Sequence, residues 1–300
     1  MTNDTFYILD VFAEQPLTGN QLGVFPQAAS FTSGRMLALT RELNFAESTF
    51  ILGPGKGPDH WRVRIFTPGG EVPFAGHPTL GTATLIRDIF DGEGGQTPEV
   101  ITLNLAAGDI PVRFTGQDGA SPPLATMTQN PPEFGREIPA ADVAPVLNVA
   151  TSDLDDRFPC QVVSTGLPFL IVPMKDLETV RRARLDYDAY DRLVERHDAP
   201  LVFFFAPEAY DPGFHIAARM FGPGYGVPED AATGSANGCL GSYLLQHGVL
   251  GEGAVDVRVQ QGHEIGRPSV LYVQAEHTSD GIRVRVGGRA FIIAQGEWRA

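Results

Sequence analysis

The sequence predicts an α+β chain folded as two pseudo-symmetric lobes, on three observations: an internal repeat, a preponderance of strand-like segments, and a length of 300 residues, more than one small hydrophobic core organises. The repeat is the most informative. Arg64 to Pro73 reads RIFTPGGEVP and Arg219 to Pro228 reads RMFGPGYGVP, 155 positions on, with six of ten residues identical and Met220 in place of Ile65. So Pro- and Gly-specific a stretch is not a generic helix or strand, and the two copies are expected to make the same turn. Weaker echoes flank it in the same order: LTGNQLGVFP from Leu17 resembles STGLPFLIVP from Ser164, and the alternating strand ending at Gly108 resembles the one ending at Gly262.

Taken in chain order, Phe6 to Phe12 is a short apolar run with strand grammar. Thr32 or Ser33 caps a helix whose apolar residues Met36, Leu39 and Leu43 share one face. A second helix begins at Gly76-His77, because Pro78 suits a first turn and Leu80, Ala83 and Ile86 follow. Val100 to Leu105 is a strand. In the second copy, Asp186 to His197, with Tyr187, Tyr190 and Val194, is the counterpart of the first helix. Ser235 heads the counterpart of the second, with Cys239, Leu240, Tyr243 and Leu244 on one side and Gly248 stopping it after His247. Val255–Val259, Val270–Val273 and Ile282–Val286 close the chain as strands.

Composition narrows the function classes. There are 22 basic against 36 acidic residues, a net charge of −14, and such a field repels phosphate backbones and anionic lipid, so neither nucleic acid nor a membrane surface is the expected partner. No apolar run approaches the roughly 20 residues of a membrane span, and Met1 to Asp4 does not open a leader sequence, so a cytoplasmic protein is expected. Cys160 and Cys239 are the only cysteines. With no CxxC and no histidine at ligand spacing, neither a disulfide scaffold nor a metal site is suggested.

The chemistry is expected at the heads of the two duplicated helices. A helix N-terminus has unpaired N–H groups and a favourable dipole, so two in equivalent places, near Gly76 to Thr79 and Gly234 to Ala236, suit a carboxylated substrate held in a cleft between lobes. Titratable residues around these turns are Glu71, His77, Glu229 and Asp230. Glu47, among Phe45, Phe50 and Ile51, is a further candidate, since desolvation raises a carboxyl pKa and makes it a useful general acid/base. Each has a plainer reading too: Glu47 as an exposed strand-edge charge, His77 as a capping or core histidine, Asp230 as a turn former, Ser235 as an N-cap. Cys239, on the apolar side of its helix, reads as a buried structural thiol.

The segments LDVFAEQPLTGNQLGVF, LNFAESTFIL, RIFTPGGEVPFAGHPTLGTA, GVPEDAATGSANGCLGSYL, QGHEIGRPSVLYV and VGGRAFIIAQGE, in order between residues 6 and 297, resemble the PhzF-type (phenazine biosynthesis-like) isomerases. The resemblance implies a diaminopimelate epimerase-like fold, each lobe a curved, mainly antiparallel sheet around a central helix. It implies lobes at 1–126 and 127–286, with 287–300 returning to the first. It places catalytic roles on Glu47, His77, Asp230 and Ser235, and substrate binding on Gly76, Pro78, Thr79, Thr233, Gly234 and Ala236. It implies no cofactor, a homodimer, and an isomerisation in which Glu47 moves a proton within a small carboxylated, cyclic or unsaturated substrate. The cysteine turns of the related epimerases, CGNG and CGTG, align with Ala75–Pro78 and Thr233–Ala236, so racemisation by two thiols lacks its machinery here. A racemase using other bases and a non-catalytic binder of small acids are the rival expectations.

Overall fold

The computed structural model describes residues 4–57, 59–90, 97–116 and 121–299; Met1 to Asn3, part of the start read above, lie outside the described residues. The chain divides into two units, Met1–Thr128 with Gly287–Ala300, and Gln129–Val286. In the first unit β1 (Asp4–Val11) pairs antiparallel with β2 (Asn20–Phe25), and after α1 (Ser33–Leu43) comes β3 (Glu47–Pro54), parallel to β2. Next, β4 (His60–Thr67) runs antiparallel to β3, the short β5 (Gly70–Val72) folds back on β4, and α2 (Gly76–Ile89) follows. The sheet resumes with β6 (Val100–Leu105) parallel to β4, then β7 (Gly108–Thr115) and β8 (Leu124–Thr128) in antiparallel succession.

The second unit holds β9 (Glu133–Glu137), α3 (Ala140–Val143), β10 (Gln161–Ser164), β11 (Pro168–Pro173), α4 (Leu177–Arg182), α5 (Tyr187–His197), β12 (Val202–Ala206) and β13 (Ile216–Phe221). It continues with α6 (Gly234–His247), β14 (Val255–Gln261), β15 (Ser269–Thr278) and β16 (Gly281–Gly288). Its pairings repeat the first unit's: β10–β11 antiparallel, β11–β12 parallel, β12–β13 antiparallel, β13–β14 parallel, β14–β15 antiparallel. The last strand, β17 (Ala290–Trp298), runs antiparallel to β1, as β9 runs beside β10. Among the described residues no helix is long and apolar enough to cross a membrane.

Capping explains where the outer helices start. Thr32 Oγ1 accepts from Arg35 N, and α1 lays Met36 and Leu39 on a cluster of Phe25, Phe31, Phe50 and Phe66, in which Phe25 and Phe50 stack at 5.0 Å. Asp186 Oδ1 does the same for Ala189 N at the head of α5, whose Ala189, Tyr190 and Leu193 are buried.

The two 14-residue helices α2 and α6 differ from these in being covered all round. Every residue from Gly76 to Ile86 is buried, and so is every residue from Ala236 to Leu245. Their glycines let the sheet approach: a Cβ on Gly81 would stand 2.6 Å from Leu22 Cδ2 and 2.7 Å from Val11 Cγ2, and one on Gly241 2.6 Å from Val273 Cγ1.

The repeat that predicted the duplication is real in its strands but not in its turn. Arg64 lies opposite Phe50, and Arg219 opposite Phe204, as expected. The expectation of a shared turn is corrected, however. Thr67 pairs with Gly70 across Pro68-Gly69, whereas the second copy makes a 3-10 turn at Pro223–Tyr225 closed by a Gly222–Val227 bridge. The bridge encloses four residues where the first copy has two, and with one more residue before Glu229 the equivalence shifts from 155 to 158 positions. Glu71, on β5, then matches Glu229, and both hold their arginine with two bonds: Arg64 to Glu71 at 2.7 and 2.6 Å, Arg219 to Glu229 at 2.8 Å twice. Val72 matches Asp230, since Val72 pairs with Ile65 and Asp230 N donates to Met220 O.

The paired ion pairs differ in burial, and stability should follow. Arg219 is 3% exposed and also donates to the carbonyls of Val180 and Ala183, while Arg64 is 26% exposed. Arg219→Ala strands a mostly covered carboxylate and two carbonyls and is expected to cost about 3–5 kcal/mol in urea unfolding; Arg64→Ala is expected to cost about 1 kcal/mol or less. Equal losses would contradict the assignment.

Candidate active site

Glu47 is the first residue of β3, and His77 the second of α2. β3 lies between β2 and β4, so Glu47 is not a strand-edge charge, and its side chain is 19% exposed. His77 is 5% exposed. Its ring hydrogen-bonds the Gln21 backbone, its Nε2 has no hydrogen-bond partner, and that Nε2 stands 3.6 Å from Glu47 Oε2. Burial pushes the imidazole pKa down from 6.5 to about 3, against a smaller opposing contribution from the Gln21 bond. The ring is therefore neutral, and its Nε2, without a hydrogen-bond partner, is turned to the carboxyl group.

Both buried helices begin without a side-chain cap. Ala75 and Thr233 occupy the N-cap positions and neither caps its helix with a side-chain hydrogen bond, so Ser235 is a residue of the first turn and not the N-cap. The plain reading of Ser235 is corrected: the chain turns into the helix one residue before Gly234, and the Thr233 hydroxyl is engaged elsewhere, donating to Asp230 Oδ2 at 2.7 Å. In the first unit Gly76, Pro78 and Thr79 form the buried first turn, with Thr79 Oγ1 donating to Ala75 O at 2.7 Å. Gly234 and Ala236 are buried likewise in the second. An uncapped first turn leaves backbone N–H groups available to an anion.

The structure thus brings Glu47 together with His77, and Asp230 together with Thr233. Glu71 and Glu229, considered from the sequence, are instead partners of arginines. Strand register adds what the sequence did not show. Ser48 lies between Gly23 and Phe66, and Val202 between Leu170 and Phe221, so the second unit's counterpart of Glu47 is Leu201, buried at 3% exposure. The duplicated frame carries this carboxylate once. Gln261, at the end of β14, also escaped notice; it is wholly buried beside Thr233. Both cysteines are buried, and burial raises each thiol to about 12, which leaves them protonated. Among the described residues no three His, Cys, Asp or Glu side chains gather as a metal would require. A concavity of about 270 Å³ bordered by Leu52, Arg64, Glu71 and Asn104 includes neither Glu47 nor His77.

Comparison with known proteins agrees with this frame. The family described as phenazine biosynthesis-like protein matches residues 9–296. A trans-2,3-dihydro-3-hydroxyanthranilate isomerase of Pseudomonas fluorescens is 35% identical over 97% of this chain and 98% of its own. Among solved structures, a PhzF-family phenazine biosynthesis protein of Bacillus anthracis superposes with a TM-score of 0.90 at 24% identity, covering all of both chains. A probable proline racemase of Agrobacterium radiobacter, at 14% identity, TM-score 0.63 and coverage of 99% of this chain and 93% of its own, shares the fold alone. With its family match running almost end to end and its relatives named as isomerases, the chain belongs to the PhzF, phenazine biosynthesis-like, family of isomerases, on the epimerase-like α+β fold.

Proposed function

We propose that this isomerase moves a proton between two carbons of a small carboxylated, unsaturated substrate, with Glu47 as general acid/base and no cofactor. The observation that carries the reading is the facing of Glu47 Oε2 and the bare Nε2 of a neutral His77 at 3.6 Å. A carboxylate that takes a proton from carbon acquires an O–H that must be placed, and a neutral imidazole nitrogen is an acceptor for it. The C–H bond breaks toward Glu47, its electron pair spreads into the conjugated system, and Glu47 returns the proton to another carbon of that system. No further reactant is needed. The N–H groups at the head of α2, framed by Gly76, Pro78 and Thr79, and those at the head of α6, framed by Thr233, Gly234 and Ala236, are each suited to an anionic group such as a carboxylate in this reading. Asp230 and Ser235 hold its other polar groups or relay protons.

Inversion of a stereocentre by two bases finds less support. The aligned thiol positions hold Ala75 and Thr233, and the counterpart of Glu47 is Leu201. The compound named for the Pseudomonas fluorescens relative is the natural first probe, because it joins a carboxylate to a partly unsaturated ring.

Incubated with trans-2,3-dihydro-3-hydroxyanthranilate in deuterated buffer and followed by NMR, the protein is expected to shift a ring proton, and Glu47→Gln to lose turnover by about a hundredfold or more with its fold intact. Cys239→Ser should change melting temperature while keeping turnover within about twofold. Undiminished turnover in Glu47→Gln, or a folded but inactive Cys239→Ser protein, would place the chemistry elsewhere.

His77 makes a separate prediction. Its folded pKa lies below its ordinary value, so on acidification from 6.5 toward 3 the proton favours the unfolded chain and stability falls, with no contribution above that interval. Nitrogen-15 NMR of labelled histidine should show His77 neutral, with an unprotonated Nε2, down to about pH 4. A His77 that titrates near 6.5 would remove the acceptor from the scheme.

A further inference from the structure

We infer that Gln261 is a positioning residue for Asp230, acting through the Thr233 hydroxyl; the inference rests on the proposed place of Asp230 in the active site. Gln261 is completely buried and its amide is fully used. Oε1 accepts from Thr233 N at 3.2 Å and from Asn237 Nδ2 at 3.1 Å, while Nε2 donates to Asp230 O at 3.0 Å and to Thr233 Oγ1 at 3.0 Å. Two of these partners allow no choice. A backbone N–H can only donate and a backbone carbonyl can only accept, so the amide cannot be turned over. Asn237 is held the same way round, because its Nδ2 also donates to Thr233 O at 3.0 Å.

The consequence reaches Asp230. Since Thr233 Oγ1 receives the Gln261 N–H, its own hydrogen is directed to Asp230 Oδ2, 2.7 Å away. A one-way chain therefore runs from the Gln261 amide through the Thr233 hydroxyl to the carboxylate, while a second bond from the same Nε2 clamps the Asp230 backbone. Two contacts on one residue, one on its main chain and one relayed to its side chain, fix both its position and its rotation. This is the support that a group acting on a substrate needs to stay within a fraction of an ångström of its working geometry. Thr233 has the same fate: its proton is committed to Asp230, so the hydroxyl at the aligned thiol position serves orientation and not proton removal.

Gln261→Glu, measured at a pH where the new carboxyl is ionised, tests this with little change of shape, since it keeps an acceptor for Thr233 N and Asn237 but removes both donated bonds. Thr233→Val cuts the same chain at its middle. On trans-2,3-dihydro-3-hydroxyanthranilate each is expected to lower kcat roughly tenfold or more with KM within about threefold. The double variant is expected to be no worse than the poorer single, because both break one chain. A Gln261→Glu protein with lowered melting temperature but wild-type kcat, or losses that multiply in the double variant, would overturn the inference. Glu47→Gln and Asp230→Asn run alongside keep the two readings apart: indifference to those changes faults the proposed site, and indifference to Gln261→Glu alone faults this inference. A readout without substrate completes the test. The Thr233 hydroxyl proton should be visible and slowly exchanging in NMR of threonine-labelled protein and lost in Gln261→Glu; fast exchange in the wild type, or an unchanged signal in the variant, would count against the chain.

Discussion

Burial of the first three turns of one helix in each unit is the constraint on which the rest of this structure depends. A helix packed against sheet on one side keeps a polar stripe, but α2 and α6 have none over their first eleven or so positions, and their small residues are what a closely wrapped sheet demands. Such a helix cannot hide its end groups in solvent. Its first N–H groups emerge at Gly76 and Gly234 with no side-chain cap, and an end left open in this way is useful only where a ligand supplies the missing acceptor. The fold thus presents the same uncapped helix end twice, once in each unit.

Duplication supplies the frame, and in the proposed function divergence supplies the chemistry. The two units repeat their strand pairings and their arginine–glutamate clamps, yet where the first has Glu47 the second has Leu201, and where the first has Val72 the second has Asp230. The first unit leaves a buried imidazole nitrogen without a hydrogen bond and sets it opposite a carboxyl group; the second satisfies a buried glutamine four times over to hold a loop still. An unsatisfied buried nitrogen is costly in a resting protein. Its retention fits a group whose partner acquires a proton during the reaction.

Much of the fold was legible because local signals agree with the final packing. Thr32, one of the two expected caps, caps α1, Asp186–His197 is helical from Tyr187 with Asp186 as its cap, Pro78 sits in the first turn of α2, and Gly248 ends α6 in a left-handed conformation. What was not legible depends on partners distant in sequence. The shared Val-Pro of the repeat suggested one turn, but the second copy spends two more residues on a 3-10 turn and one more before Glu229, and only the clamp of Arg219 on Glu229 reveals the true equivalence. Glu47 and His77 are thirty residues apart, on a strand and a helix, and no periodicity joins them; family resemblance pointed to both, while their facing geometry needed coordinates. Gln261 opens the segment QGHEIGRPSVLYV without a local feature to separate it from any strand-end glutamine.

The central claim is that one carboxyl group, Glu47, meets the carbon whose proton moves. A crystal structure with a non-reactive carboxylated analogue of the substrate tests it most directly. The account predicts a Glu47 oxygen within about 3.5 Å of the reacting carbon, with the analogue's carboxylate against the N–H groups that begin at Gly76 or Gly234. An analogue bound in ordered density with Glu47 remote from that carbon, and another acid or base beside it, would contradict the account.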